Sequence, residues 1–301
     1  MGYLYLCIAV LAGSVKGYCG KRISTHMRAL DTALHITTIR MLMCIPISFL
    51  LVLGQGHAES LSPNPMLLVS SMLSGVATAT MAVAWLFAAR RAAYVLLDVF
   101  LMLGVFVPLS LSALLFDERI DLLDLGGVLL LVIAVLLMCP RRGKGSGRLD
   151  PVSLLLLALC GFSSGTADFS QKLFVQYAEG SPVSVFSLYS YIAASVFLGI
   201  FAVLVKRRGR HGKRDATDTA AGTRSLYLYV AVMAVCLFAN SYFKTLAAGR
   251  LTAVVLYPMT QGLSLITSAG MAALFFGEKV TPRVVLALLL AFLSLLCINF
   301  F

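Results

Sequence analysis

The chain has 301 residues, of which 60% are hydrophobic and only 12% charged, whereas a soluble domain carries about a quarter of its residues charged. So much apolar side chain cannot be hidden inside a water-soluble particle, which excludes a soluble fold and makes lipid the solvent. The net charge of +11 resides in short segments between apolar runs, as membrane topology requires, so no nucleic-acid partner is expected.

Runs able to cross about 30 Å of hydrocarbon at about 1.5 Å per residue fall at 3–22, 33–53, 66–89, 92–116 and 121–139. The first has the length of a signal peptide, but it lacks a basic leader and contains Lys16, so it reads as a retained helix. Lys16 shares a helical face with Gly13 and Gly20. The second run carries Arg40 a third of the way in, and Pro46. Ser71, Ser74, Thr78 and Trp85 form one stripe of the third, and Asp98 and Pro108 lie in the fourth. The fifth, LGGVLLLVIAVLLM, is nearly pure hydrocarbon. A Gly-rich basic linker, PRRGKGSGRLDP, follows.

A second set of runs falls at 152–175, 183–205, 225–248, 251–276 and 282–301. The sixth places Asp168 on the face of Gly161 and Gly165, and the seventh aligns Ser184, Ser187, Tyr191 and Ser195. The segment after it, KRRGRHGKRDATDTAAGTR, is too polar to fold alone. Asn240 and Lys244 stand one turn apart on the eighth run. Tyr257, Gln261, Ser264 and Ser268 make a stripe on the ninth, beside Pro258, and the tenth is again plain hydrocarbon. Prolines inside a span free a backbone carbonyl and create hinge or ligand positions.

The sets resemble each other. LLFDERIDLLDLGGVLLLVIAVLLM matches LFFGEKVTPRVVLALLLAFLSLLCI, aligning Glu118 with Glu278, and Gly13 and Gly17 correspond to Gly161 and Gly165. An odd number of spans per half turns the second copy upside down. The expected fold is therefore an all-α membrane protein with ten transmembrane helices in two inverted five-helix repeats, residues 1–140 and 152–301, joined by a basic linker at 141–151. Nearly all Lys and Arg of the connecting segments lie on one side, leaving only Arg119, Lys172 and Arg250 on the other. The richer side should be cytoplasmic and both termini outside, in a plasma membrane.

Charged residues inside a span cost on the order of 3 kcal/mol each at a helix centre and so need water or a partner. Lys16, Arg40, Asp98, Asp168, Asn240, Lys244, Tyr257 and Gln261 are the expected pathway residues; the bland alternative for the charges is a structural ion pair or snorkelling. The seven cysteines read as buried small hydrophobes, without C-x-x-C pairs or metal spacing. No convergent catalytic or metal constellation appears, so neither enzymatic activity nor a cofactor is expected.

YPMTQGLSLITSAGMAALFFGEKVTPRVV, residues 257–285, resembles the third-to-fourth-helix stretch of small multidrug resistance proteins, with its Tyr, a Gly five residues on and an F-F-G-E-K turn. FDERIDLLDLGG is a weaker copy. Together with the order of spans, this resembles the ten-helix EamA-type branch of the drug/metabolite transporter superfamily. The resemblance implies secondary transport by alternating access, often coupled to protons or to exchange. The chain departs from the small pumps where they carry a first-helix glutamate: Gly13 stands here, Gly161 in the second half, and Lys16 follows one turn later. It departs from EamA-type members in its charge-derived orientation, since they keep both termini in the cytoplasm.

The expected function is thus a carrier for a small polar metabolite, amino acid-like or anionic. Alternatives are a multidrug or cation efflux pump and, further off, a channel, which would need a filter sequence that is absent. Membrane lipids are the expected surroundings; a coupling proton and a homodimer remain open partners.

Overall fold

The computed structural model describes residues 1–24, 30–62, 64–91, 100–116, 121–138, 151–178, 180–208, 223–276 and 282–300. These form α1 (Gly2–Ser24), α2 (Leu30–Gly54), α3 (Pro65–Arg91), α4 (Phe106–Phe116) and α5 (Leu122–Met138). After the linker come α6 (Pro151–Tyr177), α7 (Val183–Arg208), α8 (Thr223–Ala248), α9 (Ala253–Phe276) and α10 (Pro282–Phe300). A single 3₁₀ turn, Ala58–Leu61, lies between α2 and α3, and no strand occurs among the described residues.

Local chemistry sets several boundaries. Proline opens α3, α6 and α10, where its fixed φ suits the first helical position and its missing N–H is no loss. α2 ends in a Schellman turn: His57 N–H donates to Val52 O at 3.0 Å and Gly56 N–H to Leu53 O at 3.1 Å. Gly56 supplies the positive φ, 71°, that this turn demands. The fourth span departs from an unbroken helix. Pro108 cannot donate to the carbonyl of Gly104, and the helix breaks at Gly104–Val105 before resuming as α4.

Among the described residues, six helices (α1, α2, α3, α6, α7 and α8) contain stretches long and apolar enough to cross a membrane; shorter apolar stretches are Phe100–Phe116, Leu125–Ala134 and Val285–Ser294. Large apolar side chains such as Leu114, Leu122, Leu155 and Leu228 are exposed, as expected of an integral multi-pass protein whose outer solvent is hydrocarbon.

The main packing pairs are α1 with α8 and α9, α3 with α6 and α7, α2 with α7 and α8, α4 with α6, and α5 with α10. Exchanging each helix for the one five places along turns α1–α8 into α6–α3, α2–α8 into α7–α3 and α1–α9 into α6–α4. The pairs α2–α7 and α5–α10 map onto themselves. Glycine permits the closest crossing: a Cβ on Gly161 or Gly165 would overlap the carbonyls of Phe100 and Gly104. Their first-half counterparts are looser, since a Cβ on Gly13 would press the Asn240 amide and one on Gly17 would meet nothing.

The plain helices α5 and α10 pack on one another through Leu131, Ala134 and Ala287. Ser294 Oγ donates to Gly127 O at 2.6 Å between them. Lys172, counted among the loop charges from sequence, is buried in α6, where its ammonium donates to Leu251 O at 2.9 Å and Ala248 O at 3.4 Å. It thereby satisfies the last carbonyl of α8 and one in the turn that follows.

Candidate functional site

A cavity of about 120 Å³ lies between α1, α3, α6, α7 and α8. One water needs roughly 10–15 Å³ by such a measure, so this volume suits several waters or a small metabolite. Its wall is unusually polar for a membrane interior. α1 contributes Lys16; α3 contributes Ser74 and Thr78; α6 contributes Ser164, Asp168 and Gln171. Ser190 and Tyr191 of α7, and Asn240, Ser241 and Lys244 of α8, complete the polar part.

Helical periodicity explains why these side chains meet. Asp168 and Gln171 on α6, and Asn240, Ser241 and Lys244 on α8, recur at three- and four-residue spacing and share an inward face. α8 lies against α1, and Asn240 donates to Ala9 O at 2.7 Å across that contact. The absent side chain at Gly13 makes room for that amide.

At one end of the cavity Lys244 Nζ and Asp168 Oδ1 form an ion pair at 2.5 Å. The Tyr257 hydroxyl donates to the Asp168 backbone carbonyl at 2.7 Å, and the Lys244 ammonium lies 5.9 Å from the Tyr257 ring centroid. Tyr257 is fully buried. It braces the pair from α9 with a hydrogen bond to the helix that carries Asp168, and with the negative face of its ring.

Lys16 and Arg40 lack such company among the described residues. Lys16 faces the cavity from α1, and Arg40, Lys244 and Asp168 are within Coulombic reach of its ammonium. Arg40 sits just behind the wall, within reach of Tyr191. Its Nε is buried without a hydrogen-bond partner, as are Gln171 Oε1 and Ser190 Oγ on the wall itself. Among the described residues no side-chain hydrogen bond or ion pair holds Lys16 or Arg40.

Of the residues expected from sequence, Lys16, Asp168, Asn240 and Lys244 line the cavity, Tyr257 adjoins it through Asp168, and Arg40 stands at its margin. Gln261 does not line it, and Asp98 lies outside the described residues. α9 instead meets α1 beside the stripe, where Ser14 Oγ donates to Thr267 Oγ1 at 2.6 Å. Gln171 was not singled out from sequence; its spacing of three from Asp168 was the available signal.

A lipid-facing helical bundle with charged side chains converging on an internal cavity is the architecture of an integral multi-pass membrane protein. The sequence model of the EamA-like transporter family matches residues 152–300, which places the chain in the drug/metabolite transporter superfamily. A solved crystal structure is similar in fold over 99% of this chain and 96% of its own, with a TM-score of 0.77 at 14% identity. No curated protein matches the sequence.

Proposed function

We propose that the chain is a secondary transporter that carries a small polar metabolite, amino acid-like or anionic, through this cavity by alternating access. The observation that carries the reading is the cavity's dual origin. Lys16, Ser74 and Thr78 come from the first half, and Asp168, Gln171, Asn240 and Lys244 from the second, so relative motion of the halves would open the site to either side. Packing pairs that persist when helices five apart are exchanged support two inverted repeats, residues 1–140 and 152–301. The charge asymmetry of the connecting segments supports extracytoplasmic termini in a plasma membrane.

The reading can be tested before any substrate is known. In a variant without native cysteines, Ser164→Cys should react with an impermeant thiol reagent from either face of oriented vesicles, while planar bilayers holding the protein show no conductance. Labelling from neither face or from one only would make the bundle a scaffold or a closed receptor. A steady conductance would make it a channel.

A further inference from the structure

The geometry points to a compact anion carrying about two negative charges, a dicarboxylate or phosphate ester, as the ligand of this cavity, with Lys16 and Arg40 as its anchoring cations. This rests on the carrier reading above and narrows its substrate class. Asp168 is the one carboxylate among the described lining residues, and Lys244 already engages it. A zwitterionic amino acid or an organic cation would need a free acceptor for its positive charge and finds that acceptor neutralised.

Lys16 and Arg40 present the opposite situation. Both are partly buried, Lys16 lines the cavity while Arg40 lies outside its lining within Coulombic reach of Lys16, and neither has an ion-pair partner among the described residues. Bringing two cations together in a low-dielectric interior is unfavourable unless an anion lies between them or beside them. One negative charge would neutralise only one of them; a dianion can neutralise both. Arg40 offers a planar fork suited to a carboxylate or phosphate, and Lys16 a compact point charge. Gln171 Oε1 and Ser190 Oγ, buried without hydrogen-bond partners on residues that line the cavity, suit hydroxyl or amide groups rather than hydrocarbon.

Thermal unfolding of the full-length protein in detergent, at constant ionic strength, reads this directly. Inorganic phosphate and succinate serve as the two dianion probes, alanine as the zwitterion and choline as the cation. At least one dianion should raise the unfolding temperature in a saturable way, while alanine and choline do not; which dianion acts distinguishes phosphate esters from dicarboxylates. Lys16→Gln and Arg40→Gln should each weaken that apparent affinity by about tenfold, and Arg207→Gln should leave it unchanged. Equal responses in all three variants would reveal a general salt effect and overturn the inference, as would preferential stabilisation by alanine or choline.

Should a variant fail to fold, the same dianion should slow alkylation of Ser164→Cys in a chain that retains both cations; absence of protection overturns the inference. Two-sided labelling without dianion protection leaves the carrier reading intact and refutes the anion. Dianion stabilisation without two-sided labelling does the reverse.

Discussion

Asp168 and Lys244 illustrate how a buried charge pair constrains each partner. Their side chains retain 9% and 12% exposure, so removing either leaves the other nearly dry and uncompensated. Asp168→Asn should destabilise the protein by about 3–5 kcal/mol, read as a lowered unfolding temperature. The double variant Asp168→Asn/Lys244→Gln should recover part of that loss, because no lone ion remains. Additive losses would show that the two residues act separately. The charges were legible in the sequence because ionised side chains are costly in hydrocarbon, whatever their neighbours. Which of them pair was not, since that depends on α6 and α8 meeting at one height. Gln171 escaped notice for a related reason: an uncharged amide near a helix end is ordinary until tertiary packing buries its carbonyl oxygen without a partner.

At the scale of the helix, the two glycine pairs separate pattern from packing. Gly13 and Gly17 match Gly161 and Gly165 in sequence, yet only the second pair lies against backbone carbonyls, those of Phe100 and Gly104 just before α4. Gly165→Val should therefore abolish accumulation of folded protein, whereas Gly17→Ala, with nothing near its added methyl, should leave expression and unfolding temperature within about 0.5 kcal/mol of the native chain. Comparable losses in both would mean that the crossing of α6 on Phe100–Gly104 is not the tight one. The break at Gly104–Val105 was foreshadowed by Pro108, but a proline in a span is compatible with a kink, a hinge or a gap, and local sequence does not choose among them. Ser294 teaches the same lesson. In a hydrocarbon helix it looks incidental, yet it is fully buried and donates to Gly127 O on α5, a partner 167 residues away that only the assembled fold supplies. Ser294→Ala should lower the unfolding temperature without altering ligand affinity.

At the scale of the molecule, composition and run length made the all-helical membrane class legible, because bulk transfer free energy from water to lipid depends on little else. The cavity's position was less so, being set by which helix faces turn inward. Orientation rests on charge alone and has a direct check. Cysteines at Glu59, exposed beyond α2, and at Arg207, exposed at the end of α7, should label from opposite faces of intact cells, Glu59→Cys from outside only. The reverse pattern would put both termini in the cytoplasm.

That Lys16 and Arg40 have no ion-pair partner among the described residues bears, on the proposed carrier reading, on the kinetics of turnover. A carrier must return its site to the starting side, loaded or empty. On that reading, a bound dianion would make the pair electrically silent, and the pair would cross the transition as a neutral unit. Empty, it must be occluded as bare positive charge, which raises the self-energy of the closed state by several kcal/mol per ion and couples the return stroke to the membrane potential. Vesicles preloaded with phosphate or succinate should therefore take up the same labelled anion at least tenfold faster than empty ones, a gap that widens as the potential opposes inward movement of positive charge. On the proposed reading, two cations without ion-pair partners among the described residues favour a machine that trades one anion for another over one that accumulates a single species.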